Sequence, residues 1–360
     1  DETTGEKLVW RKLVHPDNPS QERWLTATSE EWTRLIDETQ TLEFIDPAEK
    51  ERGRTVSYMS MAPSLKPDAS GDLTVERVRG SYGGNVTDYT GLRTANTASM
   101  VSVKTLMNAV VSDPNAKCMA ADAKNFYLMT ELDKYEYMSI DPAQIPQATF
   151  DKYKLATMQK TSQGNYMVRV KRGMYGLPHA GRLAMLKVTA LLADAGYHEC
   201  KSNKMVFKHD TRDVVFTLVV DDFLVKYVNR EDAEHLMSTL EKVYVMKTDW
   251  EAKKYLGITL DWDYTSAVRS VRLSMPNYVA KGVSKFSQWL GTIRKTSHGP
   301  GTPAPIVYGA QQTKTTDTTA ELKAEEKTMM QSFVGYFRYY AEAIDSTQLV
   351  KLGQLGQMQS

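Results

Sequence analysis

Residues 214–228, VVFTLVVDDFLVKYV, decide the fold of this chain. Two runs rich in β-branched and aromatic residues flank the pair Asp221-Asp222, a pattern typical of two strands joined by a tight turn. The sequence therefore predicts a β-hairpin with both carboxylates at or near its tip. Burying carboxylates at strand ends costs free energy unless an opposite charge lies nearby, so the pair is also a candidate functional site.

The segments on either side of the hairpin predict an α+β fold. Residues 117–121 (KCMAA) form a short apolar run that ends at Asp122, as a buried strand would. From there the order is strand, insertion, helix, strand, strand, helix, strand, which predicts a split βαβ antiparallel sheet with helices on one face. The other elements in this order are an insertion at 140–172, helices at 181–196 and 230–244, and a strand at 255–262.

The outer segments predict further helices and a less regular β region. Residues 18–50 begin with helical character, and Ser29-Glu30-Glu31 is a candidate N-cap for a helix that contains Trp32, Leu35 and Ile36. Turn-rich residues 55–95 predict an irregular β segment. Helices are expected at 97–111, 276–290 and 321–343, a strand at 268–273, and a linker rich in Gly, Pro and Thr at 296–320.

Composition excludes several classes of protein. The 360 residues are 41% hydrophobic and 25% charged, as in globular proteins. The sequence has no run of about 18 apolar residues, which argues against a membrane-spanning helix. Two cysteines cannot form a disulfide framework, which favours an intracellular, reducing compartment, either the cytoplasm or the nucleus. The six histidines are scattered and have no zinc-binding spacing.

Charge is unevenly distributed although the net charge is only +1. Residues 150–230 contain 14 Lys and Arg against 7 Asp and Glu, whereas residues 231–263 contain 4 against 8. The basic stretch is either a surface that follows nucleic-acid phosphates or an ordinary solvated face. Charge alone favours the second interpretation.

Asp122 and Asp221 are candidates for a divalent-metal site. Each follows a predicted strand, and neighbouring strands of a split βαβ sheet could bring the two carboxylates together. Mg²⁺ prefers carboxylate oxygens and leaves room for water and phosphate, and two such ions can activate a hydroxyl and stabilise a leaving oxygen. The alternative is that Asp221-Asp222 forms only a polar hairpin turn.

Four strings, in this order, resemble the reverse transcriptase of copia-type retrotransposons, the RNA-dependent DNA polymerase domain of a Pol polyprotein. They are ADAKNFYL at 121–128, RGMYGLP at 172–178, FTLVVDD at 216–222 and YLGITL at 255–260. The resemblance implies a right-hand polymerase. Its fingers would be residues 1–116 and 136–172, its palm 117–135 and 173–265, and its thumb, with a C-terminal linker and helix, 266–360.

The resemblance also implies a reaction and its partners. Asp122 and Asp221 would bind two Mg²⁺ ions, with Mn²⁺ as the alternative, and Asp222 would be the accompanying, less directly bound carboxylate. A primer 3′-hydroxyl, paired to an RNA or DNA template, would attack the α-phosphate of a dNTP and release pyrophosphate. Lys247, matched by spacing alone, would protonate the pyrophosphate, and a solvated lysine is the competing interpretation.

Further positions match nucleotide- and primer-binding parts of the family. Arg77 and Arg79 would bind triphosphate oxygens, unless they belong to a solvated strand edge. Tyr127 would exclude a ribose 2′-hydroxyl, unless it is a core tyrosine. His179 would lie beside the template base and the incoming nucleotide, and Tyr255-Leu256-Gly257 would hold the primer end.

Departures from the family leave other functions open. His179 stands where the family usually has Gln, and Val219 where Tyr is common, although the three acids are intact. His179 and the near-zero net charge motivate an alternative, a domesticated reverse-transcriptase fold that serves as a non-catalytic structural subunit of a larger assembly. An RNA-templated RNA polymerase ranks last, and ribonucleotide incorporation by a Tyr127 variant would discriminate it. The resemblance places the protein in a retroelement particle, in the cytoplasm or the nucleus.

Overall fold

The structure, a computed structural model, describes residues 8–67, 74–293 and 321–357. These residues form two compact units that divide between Arg272 and Leu273. The first unit mixes helices with several sheets, and the second is mainly helical. Within the described ranges, no helix combines the length and the apolar character needed to cross a membrane.

The bounds of the regular elements are as follows. The helices are α1 (Trp10–Leu13), α2 (Gln21–Thr33), α3 (Met100–Ser112), α4 (Gln147–Lys152), α5 (Ala180–Asp194), α6 (Arg230–Glu241), α7 (Tyr278–Ile293), α8 (Ala324–Ala343) and α9 (Leu349–Gln357). The strands are β1 (Leu42–Ile45), β2 (Val56–Pro67), β3 (Thr74–Tyr82), β4 (Lys117–Lys124), β5 (Glu131–Ile140), β6 (Tyr166–Arg172), β7 (Tyr197–Glu199), β8 (Val206–His209), β9 (Val214–Val219), β10 (Asp222–Tyr227), β11 (Val245–Asp249), β12 (Lys254–Tyr255), β13 (Ile258–Asp263) and β14 (Ser270–Ser274).

A six-stranded sheet contains the predicted hairpin. Its strand order is β11-β4-β10-β9-β8-β7, and each adjacent pair is antiparallel. Helices α3 and α6 pack against its central strands, and α5 packs against α6 and β7. Phe216 on β9 and Phe223 on β10 are fully buried, which explains why these β-rich runs form central strands.

A second sheet of the first unit has five strands, and a third, small sheet pairs β12, β13 and β14 in that order. The order of the five-stranded sheet is β1-β6-β5-β2-β3, and β2 and β5 run parallel. Helix α2 packs against β3. Trp24 and Trp32 of α2 are buried in the core beside Leu35, so this helix is held by apolar packing.

The second unit is stabilised by aromatic packing between α7 and α8. Phe286 is fully buried against Phe333 and Phe337. Tyr278 and Tyr336 stack with ring centroids 4.4 Å apart, and each hydroxyl donates to the other residue's carbonyl at 3.0 Å. These reciprocal contacts fix the relative position of the two helices.

Several predicted elements are corrected by the structure. Ser29 is not an N-cap but lies inside α2, which begins at Gln21. The helix passes through Ser29 without a break, and Thr28 and Glu31 on either side of it are buried on the inward face. Strand β11 was not predicted, since its side chains are mostly exposed and it forms a sheet edge. The strand predicted at 255–262 is a hairpin of β12 and β13. The predicted linker at 296–320 lies outside the described residues.

Candidate active site

The predicted hairpin is confirmed, and its turn has an unfavourable backbone conformation. Val219 pairs with Asp222, which leaves Val220 and Asp221 as a two-residue loop between β9 and β10. Val220 has a φ of 61°, in the left-handed region that β-branched residues disfavour. Such strain costs about 1–3 kcal/mol and persists only where surrounding structure enforces it. The N–H of Ala123 donates to the Asp221 carbonyl at 2.9 Å and ties this loop to β4.

Strand pairing brings the predicted acids and Lys247 together. Asp122 on β4 lies directly opposite Asp222 on β10 and directly opposite Lys247 on β11. Directly opposed residues of antiparallel strands place their side chains on the same face, with Cα atoms roughly 4.5–5.5 Å apart. The sheet thus has a three-residue row, Lys247, Asp122 and Asp222, with Asp221 in the adjoining loop. We refer to these four residues, the three acids and Lys247, as the acidic row.

Electrostatics in the acidic row favour the binding of positive charge. Burial raises the pKa of Asp222 to about 7, and the negative charges of Asp221 and Asp122 add to the effect. Burial and Asp122 also raise the pKa of Asp221, while an attraction to Arg79 opposes the rise. The ionised acids are therefore incompletely compensated by the protein, and a cation bound among them would stabilise their charged forms.

The carboxylates of the acidic row could hold a divalent cation only together with ligands from outside the chain. Among the described residues, no group of three His, Cys, Asp or Glu side chains is arranged to hold a metal ion. Mg²⁺, however, is usually held by one or two carboxylates together with phosphate oxygens and waters. Asp122 and Asp222, opposed in register, provide two carboxylates of this kind, and Asp221 provides a third nearby.

Tyr127 lies close to the acids, in the turn that follows β4. Burial raises the pKa of its hydroxyl, and the charge of Asp221 raises it further. Tyr127 and Val220 line the same small cavity beside α5. The structure thus places Tyr127 near Asp221.

Arg79 also belongs to this neighbourhood, since its charge acts on Asp221. Its guanidinium carbon lies 4.3 Å from the ring centroid of Tyr175. Burial lowers the pKa of Arg79, and the positive charge of Arg77 contributes in the same direction. Arg79 therefore brings positive charge near Asp221, with Arg77 beside it on β3, which suits an anionic ligand.

His179 lines a separate cavity of about 420 Å³. Its ring stacks on Tyr89 with centroids 3.9 Å apart, and only 4% of the residue is exposed. Burial lowers the pKa of His179, and the charge of Arg93 acts in the same direction. Arg54 and Glu136, an ion pair at 3.1 Å, line the same cavity. The stacking of His179 on Tyr89 thus lies at this cavity and not in the acidic row.

The hairpin at residues 255–257 is linked to the acidic row by one hydroxyl. Tyr255 pairs with Ile258, and the loop residues Leu256 and Gly257 both have positive φ, as in a type I′ turn. The Tyr255 hydroxyl donates to the carbonyl of Asp222 at 3.3 Å. This contact connects the proposed primer-holding hairpin to β10.

Two features of the site were missed in the sequence. Tyr175 lies within the string RGMYGLP, but no role was assigned to it. The second is a network in which Glu31 accepts two hydrogen bonds from Arg34, which also donates to Asn125 in the turn before Tyr127. Arg34 and Asn125 are 91 positions apart, so no local pattern predicts their contact.

Comparison with known proteins identifies a family over more than half of the chain. A family model described as reverse transcriptase (RNA-dependent DNA polymerase) matches residues 88–292. The matched range includes the acidic row, Tyr127, His179 and the hairpin at 255–257, and it begins after Arg77 and Arg79. A search of curated proteins gives no match.

Proposed function

The chain belongs to the reverse transcriptase (RNA-dependent DNA polymerase) family, and from this premise we propose that it is an active RNA-directed DNA polymerase of the copia type. The proposed reaction joins a dNTP to the 3′-hydroxyl of a primer on an RNA or DNA template and releases pyrophosphate. The observation that carries the proposal is the acidic row, in which Asp122 and Asp222 are opposed in register beside Asp221. The family match does not favour the alternative of a non-catalytic structural subunit.

In the proposed mechanism, Asp122 and Asp221 are metal ligands and Asp222 supports them. When bound, two Mg²⁺ ions would activate the primer hydroxyl and stabilise the charge on the leaving pyrophosphate. The carboxylates orient this chemistry because the β4–β10 register and the hydrogen bond from Ala123 fix their backbone. Lys247, exposed and opposite Asp122, would donate a proton to pyrophosphate.

The nucleotide would bind between β3 and the turn after β4. Arg79, with Arg77 beside it, would bind triphosphate oxygens through guanidinium N–H groups. The Tyr127 ring would pack under the sugar and exclude a 2′-hydroxyl. The hairpin at 255–257, linked to Asp222 by Tyr255, would hold the primer end. A contact of His179 with the template base belongs to the same proposal, as do the fingers, palm and thumb boundaries predicted from the sequence.

Primer extension by the purified chain tests the proposal. A labelled DNA primer on an RNA template, with dNTPs and Mg²⁺, should be extended, and Asp221→Asn should lower the rate at least about 100-fold because it removes a charged ligand. Asp213→Asn is the matched control, since Asp213 precedes the same hairpin at its far end and its side chain is 59% exposed. It should extend the primer like the wild type.

Three outcomes would contradict the proposal. The wild-type chain fails to extend any primer, Asp221→Asn keeps its activity, or Asp213→Asn loses as much activity as Asp221→Asn. Parallel reactions on a DNA template measure the preference for RNA. Replacing Mg²⁺ with Mn²⁺ or adding a chelator tests whether a divalent ion is required.

A further inference from the structure

Tyr175 lies between the two side chains proposed to bind the nucleotide. The Arg79 guanidinium carbon is 4.3 Å from the Tyr175 ring centroid, a distance typical of a cation–π contact. On another side, the Tyr127 and Tyr175 rings meet edge to face, with centroids 5.8 Å apart and planes at 80°. This geometry is a favourable arrangement for aromatic pairs. One ring therefore contacts both the triphosphate arginine and the sugar-side tyrosine.

The backbone of Tyr175 is fixed on β3. The Tyr82 N–H donates to the Tyr175 carbonyl at 2.7 Å. The next residue, Gly176, has a φ of 82°, and a Cβ there would lie 2.2 Å from the Tyr82 carbonyl oxygen. Only glycine permits both the conformation and the close approach. Because Arg79 and Tyr82 share β3, this turn sets the Tyr175 ring against Arg79.

The same turn is also fixed against the segment that carries Tyr127. The Gly173 N–H donates to the Thr130 carbonyl at 2.7 Å. A Cβ at Gly173 would lie 2.8 Å from the Tyr127 carbonyl oxygen, so the two backbones are in close contact. Residues 173–176 are thus held at one end by the Tyr127 turn and at the other by β3.

The Arg79 guanidinium contacts the Tyr175 ring, while one of its nitrogens has no polar partner among the described residues. This nitrogen, Nη1, is buried. A buried donor without a partner is unfavourable, and an anionic oxygen would satisfy it. The ring contact orients the planar guanidinium while leaving this N–H for a ligand.

We propose that Tyr175 is a positioning residue that holds the Arg79 guanidinium and the Tyr127 ring in a fixed relation and thereby favours deoxynucleoside triphosphates. This inference rests on the proposed polymerase function. Loss of the ring should weaken triphosphate binding and sugar discrimination together. If the Tyr175 side chain merely fills space, its loss should change neither the affinity for the triphosphate nor the preference for the deoxy sugar.

Equilibrium binding of two analogues that cannot be incorporated, the α,β-imido forms of dUTP and UTP, measures both effects. The wild-type chain is used with an RNA template–primer that presents an adenine. Tyr175→Leu should weaken binding of the dUTP analogue by about fivefold to 30-fold, the loss of a cation–π contact. It should also lower the preference for the deoxy analogue. Tyr175→Phe keeps the ring and should restore both to within about twofold.

Two further variants separate the possible causes. Tyr135→Leu is the matched control. The exposed Tyr135 ring has its centroid 5.4 Å from the Arg169 guanidinium carbon, so this substitution removes a similar contact elsewhere. Arg79→Lys keeps the charge but loses the planar group. It should weaken binding without changing the preference for deoxyribose, and it keeps the test valid if Tyr175→Leu does not fold.

The outcomes distinguish this inference from the proposed function. If the wild type binds the analogues and Tyr175→Leu retains both affinity and sugar preference, the inference is wrong and the polymerase proposal stands. If Arg79→Lys binds as tightly as the wild type, the inference is also wrong. If the wild type binds neither analogue and extends no primer, the proposed function fails and this inference fails with it.

Discussion

Glu31 offers the sharpest test of how the first unit is held together. This carboxylate is 4% exposed on α2. It accepts hydrogen bonds from Arg34 Nε at 2.8 Å and Arg34 Nη2 at 2.6 Å, and from the Gly80 N–H at 2.8 Å. Glu31→Gln preserves the shape of the side chain but removes the charge opposite a guanidinium that is only 12% exposed.

Glu31→Gln should lower the free energy of unfolding by about 3 kcal/mol. Removing one partner of a buried ion pair typically costs about 3–5 kcal/mol, because the other charge is left without compensation. The lower end applies here, since Arg34 keeps its 2.9 Å hydrogen bond to Asn125 and a glutamine oxygen can still accept from Gly80. By contrast, Asp37→Asn should cost less than about 1 kcal/mol, because Asp37 and Lys152 are both more than 40% exposed.

Urea unfolding followed by tryptophan fluorescence measures both variants. Trp32, fully buried and adjacent to Glu31 in the sequence, reports on α2. At a slope of about 1–3 kcal/mol per molar urea, Glu31→Gln should lower the midpoint by roughly 1 M or more. Equal shifts for Glu31→Gln and Asp37→Asn would refute the reasoning, because burial would then not decide the strength of the pair.

Three other predictions concern the hairpin, a histidine and a hydroxyl. Val220→Gly should relieve the left-handed strain but slow primer extension several-fold by loosening the loop of Asp221, whereas Lys154→Gly, at another left-handed position, should leave extension unchanged. The pKa of His235 lies below 6.5, chiefly through burial; the folded state therefore binds fewer protons, and stability should fall as the pH drops below 6.5. Thermal melts from pH 7 to 5 should show a smaller loss of stability for His235→Gln than for the wild type; an equal loss would contradict the prediction. Tyr255→Phe should lower the free energy of unfolding by about 1 kcal/mol in urea titrations, since the hydrogen bond from its hydroxyl to the Asp222 carbonyl is lost; no change would mean that this link is not stabilising.

The fold was predictable where one strong local pattern dominates. The hairpin at 214–228 is confirmed because its apolar, β-branched strands are central and buried. Helix α5 is confirmed within two residues of its predicted bounds by helical spacing alone. Helical character from residue 18 is predicted, but the proposed cap at Ser29 is wrong, because the polar residues Thr28 and Glu31 are buried in hydrogen bonds and disguise the inward face of α2.

The acids of the site were predictable, but their partners were not. Asp122 and Asp221 stand out locally as carboxylates after apolar strands. The position of Lys247 opposite Asp122 depends on the register of β11, an edge strand without a clear alternating pattern. The contact of Arg79 with Tyr175 joins β3 to a turn far along the chain, and only the folded structure brings them together.

The acidic row also limits how relatives of this chain can vary in length. A one-residue insertion in β10 or β11 would shift the register and turn Asp222 or Lys247 to the opposite face of the sheet. The exposed turn closed by Thr161 and Asn165 has no such constraint. Evolutionary gain or loss of residues should therefore be confined to turns of this kind, while the strands around Asp122 tolerate exchange of side chains but not a change of length.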